Sequence, residues 1–258
     1  MRNATYCIIA AILAVQAAGS AALADNTYTY QISTDTYLDS ANGTLNYGRS
    51  GSDKVVINST SICRTLFDLP ADLWSYSPGS IESASVSFYV FQDNTQTYNV
   101  SLLPLTRGFV VGTGGSSGLS PANGATWGTY DGINSWTTAG GDFDSANSVV
   151  GTKGTLGVNP GDPSGRFFTF DITSLLNNPT TEAELQNYGA MLSVDFGQTA
   201  PATGQRYDSF TSADTTHYTA PYLPSVEVTV VPEPSSSMLV VVGLAAITCF
   251  LNKRHARC

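Results

Sequence analysis

Between Asp25 and Val231 the chain is a succession of short runs rich in Val, Ile, Thr, Tyr and Phe, each closed by Gly, Asn, Asp, Ser or Pro. That rhythm admits strands and turns and little else. Val86, Phe88 and Val90, then Val100 and Leu102, alternate as half-buried strands do. Strands are expected over 28–33, 54–58, 61–69, 84–92, 98–105, 166–172, 188–196, 206–212 and 225–231. Helix signals are scarce. The best is DITSLLNN, where Asp171 or Thr173 can cap one or two turns that end at Asn177-Asn178-Pro179. The following TTEAEL, with Glu182 and Glu184, reads as a solvated loop. No internal repeat is found. The expected fold class is all-β, an antiparallel two-sheet β-sandwich.

The ends of the chain do not fit that body. Residues 1–24 carry Arg2, an apolar stretch from Ile8 to Ala18 and the small-residue pattern Ala22-Leu23-Ala24. This reads as a secretory signal peptide cut after Ala24. Cys7 lies upstream of the apolar stretch and away from the cut, which argues against a lipoprotein. Residues 25–231 then hold seven Lys and Arg against nineteen Asp and Glu, a formal charge of −12. Such a field repels polyanions, so nucleic acid is not expected as a partner. Of the four cysteines only Cys63 falls in the body, so no internal disulfide is expected there. Its apolar surroundings make it a small buried hydrophobe. The only body histidine is His217. Zinc sites built on several histidines are thereby excluded, and a Ser-His-Asp triad would have to use His217.

The segment from Gly108 to Pro163 stands apart. It is rich in Gly, Ser, Asn and Asp and holds two of the three tryptophans. Long loops in compact domains are often functional. Trp127, Tyr130 and Trp136 are the candidate surface for stacking sugar rings; the competing reading is that each tryptophan plugs an end of the sandwich. Asp35 and Asp39, and Asp142 and Asp144, are paired carboxylates of the kind that hold structural calcium, and are otherwise solvated surface. Catalysis is not expected. A glycosidase needs two carboxylates at a set separation; the body glutamates are few, Glu82, Glu182, Glu184 and Glu227, of which Glu182 and Glu184 read as solvated charges and Glu227 as outward-pointing on a strand, while the many aspartates leave a pair open.

Five segments in order carry a resemblance: DTYLDSANGTLNYGRSGSDKVVI, RTLFDLPADLWSYSPGSIESASVSFYV, ANGATWGTYDGINSWTTAGGDFD, FFTFDITSLLNN and YDSFTSADTTHYTAPYLPSVEVTV. Together they resemble the DNRLRE domain family, a jelly-roll-like β-sandwich of exported microbial proteins, over roughly residues 34–230. The resemblance implies binding of acidic or complex polysaccharides, beside enzymes or on cell surfaces. Within it, Arg64 of RTLFDLP is expected to pair with an acid or hold a neighbouring loop, and Gly48 of LNYG to take positive φ. The stretch TRGFVVGTGG departs from the family. Phe109 and Val111 stand where relatives usually have a Trp and then an acid, so the ligand is not carried over.

The closing segment is VPEPSSSMLVVVGLAAITCFLNKRHARC. Its apolar run over 238–251 would extend about 21 Å as a helix, short against a hydrocarbon core of about 30 Å. With the serines it reaches a marginal span. Lys253, Arg254 and Arg257 would hold the tail in the cytoplasm. Val231 with Pro232, Glu233 and Pro234, the short apolar run and the basic end resemble the PEP-CTERM sorting signal. That implies cleavage near the motif by an exosortase and release or transfer at the cell surface, usually in Gram-negative bacteria that make extracellular polysaccharide. The alternative is a plain C-terminal membrane anchor. The domain organisation expected is therefore signal peptide 1–24, β-sandwich 25–231 and sorting segment 232–258. The function expected is non-catalytic polysaccharide binding at the cell surface. A passive structural or adhesion protein is the first alternative and a polysaccharide-degrading enzyme the second.

Overall fold

A computed structural model of the chain describes residues 26–76, 79–93, 98–153, 165–201, 204–214 and 221–231. The expected signal peptide, His217, Pro232, Glu233, Pro234, the apolar run and Lys253, Arg254 and Arg257 lie outside the described residues. The β body forms one unit over Thr27–Thr229.

The described chain is mainly β. Its strands are β1 (Asn26–Gln31), β2 (Asp35–Asp39), β3 (Ser52–Asn58), β4 (Ile62–Phe67), β5 (Ile81–Asp93), β6 (Ser101–Pro104), β7 (Val149–Val150), β8 (Thr152–Lys153), β9 (Arg166–Asp171), β10 (Ala190–Ser193), β11 (Gln205–Thr211) and β12 (Ser225–Val230). A 3-10 turn, Ala71–Ser75, and two helices, α1 (Thr173–Leu176) and α2 (Pro179–Tyr188), complete it. The strands join in one curled sheet in the order β1-β12-β5-β11-β3-β4-β10-β6-β7, with β2 on β4, and β8 on β9, which pairs with β5. The ladders between β2 and β4, β3 and β4, β3 and β11, β5 and β9, and β4, β10 and β6 are antiparallel.

The curl comes from two strands that change partners along their length. β5 has thirteen residues, about 40 Å at the strand rise. Residues 85–90 pair with β9 on one edge; on the other, where β12 and β11 both neighbour the strand, residues 90, 92 and 93 pair with β11 across a register shift. Such a bulge bends the strand and strengthens its twist. On β4, Cys63 pairs with Val56 of β3, whereas Thr65, Leu66 and Phe67 pair with β10. β2 holds the other edge throughout.

β4 is therefore buried on both faces. Phe67 points into an aromatic core with Phe88, Phe168, Phe170 and Phe210, whose rings meet mostly edge to face at 5.0 to 6.4 Å. Leu66, on the opposite face, packs with Leu38, Leu103, Leu105, Met191, Ala125 and Trp136. The second cluster is roofed by the Gly-rich segment, which is why that segment is ordered. Cys63 is buried, and burial pushes its thiol up to about 12, which keeps it unreactive.

Four local expectations change. The acidic segment DTYLD is a strand, β2, and its first four residues are buried. TTEAEL is not a loop but the body of α2. Asn178 caps it by accepting from the Thr180 N–H at 3.0 Å, and Pro179 occupies the first turn. Asn-Asn-Pro thus ends one helix and starts the next, because proline lacks only an N–H that would be orphaned there anyway. The strand expected from Tyr188 begins at Ala190, since Tyr188 is the last helical residue. Finally, Gly48 is not among the residues with positive φ. Its lack of a Cβ matters because a Cβ would lie 2.1 Å from the Val111 carbonyl oxygen.

Candidate functional site

The Gly-rich roof is pinned from below by one side chain. Asn46 is fully buried. Its Nδ2 donates to the carbonyls of Val111 at 2.6 Å and Ala125 at 3.0 Å. Its Oδ1 accepts from the N–H groups of Gly114 at 2.9 Å and Gly48 at 3.3 Å. Its backbone bridges to Leu119. A buried amide with its hydrogen-bonding capacity used fixes a unique loop path, because each lost bond would strand a desolvated group. Nothing in the residues around Asn46 signals this, since every partner but Gly48 comes from far along the chain.

The structure separates the three sequence candidates. Trp136 is 5% exposed and belongs to the core beneath the roof. Its indole N–H donates to the Thr126 carbonyl at 2.9 Å, so it offers no open face to a ligand. Tyr130 meets it edge to face at 5.8 Å and is half-buried. Trp127 is also half-buried, with the Arg64 guanidinium 5.1 Å from its ring centre. Arg64 has both roles expected of it. It forks onto Asp195, with Nε to Oδ1 at 3.0 Å and Nη2 to Oδ2 at 2.6 Å, and its Nη1 donates to the Gly140 carbonyl of the roof at 2.8 Å. Gly140 has φ +91, and a Cβ there would lie 2.8 Å from both Arg64 Nη1 and the Trp127 ring. Burial alone would raise the Asp195 carboxyl; the Arg64 hydrogen bonds and charge more than offset it and hold Asp195 below the ordinary value.

Beside Tyr130 opens a cleft of about 390 Å³ lined by Thr106, Arg107, Thr137, Thr138, Asp142 and Phe143. The Arg107 guanidinium lies 5.0 Å from the Tyr130 ring centre, and its Nε donates to Asp142 Oδ2 at 2.9 Å. The Arg107 side chain is 43% exposed. Burial works to raise the Asp142 carboxyl, but the N–H groups of Thr137 and Thr138 and the Arg107 hydrogen bond lower it overall. The arrangement joins an exposed guanidinium lying over an aromatic ring to exposed threonines at one opening. It can hold a hydroxylated ring by stacking and hydrogen bonding.

The other sequence-selected acids lie apart. Asp39 ends β2 and accepts from the Ala41 N–H, Asn42 Nδ2 and Ser61 Oγ. Asp144 accepts from the Ala146 N–H and Asn147 Nδ2. Asp35 is interior, 4% exposed, and accepts from Ser212 Oγ at 2.9 Å and the Ala213 N–H. Its carboxyl interacts with that of Asp53, which is 1% exposed. Burial raises both carboxyls, and Asp53, facing Asp35, well above the ordinary value. One shared proton explains the pair, because two carboxylates in contact cannot both ionise. Asp35 reaches a second, larger cleft of about 830 Å³ whose wall includes Arg49 and Asp214. No three His, Cys, Asp or Glu side chains converge among the described residues.

No protein-family model matches the chain, and no curated protein matches it in sequence.

Proposed function

We propose that this protein binds polysaccharide without catalysis, as an exported, surface-sorted, jelly-roll-like two-sheet sandwich similar to the DNRLRE domains. In this reading residues 1–24 are removed on export. Residues 232–258 hold the chain briefly at the inner membrane until an exosortase cuts near Pro232-Glu233-Pro234. Extracellular polysaccharide is then the partner of residues 25–231. The observation that supports it best is the Arg107 cleft, where Asp142, Thr137 and Thr138 line an opening with an exposed guanidinium that lies over the Tyr130 ring. Structural calcium at Asp142 and Asp144 would share carboxylate oxygens that already accept the N–H groups of Thr137, Thr138 and Ala146. Calorimetry of chelator-treated protein separates an ion that does this, and raises Tm, from loops held by hydrogen bonds alone.

A second reading, a passive structural or adhesion protein, draws on the burial of Trp136 and the Arg64 guanidinium over Trp127. A glycan array on the full chain, with calcium and then with chelator, decides between them. Binding to a defined polysaccharide that is lost in Arg107→Ala, while the variant retains the folded circular dichroism, supports the first. A blank array in both conditions leaves the second.

A further inference from the structure

Away from the roof, at one end of the strand order, β1 leaves its side chains outside both cores: five of its six residues are exposed and Tyr30 is half-buried. Tyr28 and Tyr30, two residues apart, share one face of the strand. Their rings lie 6.4 Å apart and within 15° of parallel. Tyr76 approaches from the end of the 3-10 turn, its ring 5.8 Å from that of Tyr28. The Tyr30 and Tyr76 hydroxyls are hydrogen-bonded at 2.5 Å. Leu73, 1% exposed, anchors the turn that presents Tyr76. Tyr28 remains 41% exposed.

We propose that Tyr28, Tyr30 and Tyr76 form a second contact surface for polysaccharide, on which a neutral glycan chain stacks. The proposal rests on the polysaccharide-binding reading above and adds where and what kind of chain. Three observations carry it. The rings add to neither core, so folding does not account for leaving Tyr28 exposed beside half-buried Tyr30 and Tyr76. The hydroxyl bond and the near-parallel packing hold their rotamers before any ligand arrives, which removes an ordering cost from binding. The tyrosines join flat apolar faces to polar tips, which suits a sugar ring with an apolar face and a hydroxyl rim. Charge selects the class. The charge acting on Tyr76 from this turn is that of Asp72, and the body carries −12 overall. A polyuronate would be repelled where a neutral chain would not.

The test is affinity electrophoresis of the full 258-residue chain in native gels containing hydroxyethyl cellulose, a neutral glucan, or polygalacturonate. The expected result is retardation by hydroxyethyl cellulose alone. It should weaken about tenfold or more, about 1.4 kcal/mol, in a Tyr28→Ala/Tyr76→Ala double variant that keeps its urea midpoint. Tyr76→Phe, which removes only the hydroxyl bond, should weaken it by a smaller factor. Retardation unchanged in the double variant but lost in Arg107→Ala overturns this surface while leaving the polysaccharide reading intact. Preference for polygalacturonate overturns the neutral class. No retardation of the native chain in either gel overturns the proposal, and a blank glycan array beside it removes the broader reading as well. A double variant that changes sedimentation instead of glycan retardation assigns the tyrosines to contact between copies and equally overturns it.

Discussion

Replacing Arg64 by methionine keeps the packed stem of the side chain and removes its charge. Arg64 and Asp195 have side chains only 12% and 11% exposed. The substitution deletes two bonds to Asp195 and one to the Gly140 carbonyl. It leaves a carboxylate in a site where burial raises its pKa and the Ser193 hydroxyl, donating at 2.6 Å, opposes that rise only in part. Breaking one partner of such a pair costs about 3–5 kcal/mol. For a domain of this size that is a fall in Tm of roughly 6–20 °C. The pH dependence follows from the direction of the Asp195 shift. In the native protein its folded pKa lies below the unfolded value of about 3.9, so its contribution is complete above that value and is lost as pH falls through the folded one. In Arg64→Met the folded pKa of Asp195 lies above the unfolded value, so the penalty is largest near pH 8 and fades toward pH 4 as the carboxyl takes a proton. Urea unfolding followed by tryptophan fluorescence at pH 8 and pH 4.5 measures this. Trp127, stacked under Arg64, reports the local change. Arg64→Met/Asp195→Asn should recover more than half of the loss, because the uncompensated charge is gone. A loss below about 1 kcal/mol, as for a surface pair, or one equal at both pH values, would refute the reasoning.

Asn46→Ala should destabilise by about 3 kcal/mol or more, since several buried groups lose partners at once, and limited proteolysis should then cut first between residues 110 and 125. Gly140→Ala should cost about 1–3 kcal/mol from positive φ and the contact with Arg64 and Trp127, read as a lower urea midpoint with unchanged strand content. Asp53→Asn should stabilise the protein at pH 7 and flatten its stability curve. Both Asp35 and Asp53 are raised in the folded state, so the native protein binds more protons than the unfolded chain and loses stability as pH rises from about 4 toward 7. Midpoints of native and variant that run parallel over that range would count against the shared proton. Trp136→Phe should lower stability by about 1–3 kcal/mol, because the Thr126 carbonyl is left buried without its donor; thermal unfolding checks it.

The strands around Val86, Phe88 and Val90, and the last one over 225–230, were legible because period-two alternation lies between neighbours in the chain. The signal of the Gly-rich segment was also legible as something unusual. What it does was not. Trp127 and Trp136 sit nine residues apart in the same kind of sequence, yet one is half-buried under Arg64 and the other forms core. The difference lies in which of them meets Leu66 and Met191, and those residues belong to strands far away. In DTYLD the paired aspartates read as calcium ligands or solvated surface, since aspartate is depleted in strands. Only pairing with β4 makes it a strand, and only the closure of the sheet puts Asp35 against Asp53.

Local periodicity thus determined the mainly β content, but it missed β2, β7 and β8 and made the strands around β6 and β10 longer than they are. The curl of the sheet, the burial of β4 on both faces and the making of the site were decided by contacts between residues distant in sequence. Asn46 reaches Val111 across 65 positions, and Arg64 reaches Asp195 across 131. Those contacts set burial, and burial sets which carboxyl is charged, which indole is open and which loop is held. A residue type and its neighbours encode the tendency to form a strand; they do not encode the desolvation and the partners that a folded interior imposes on it.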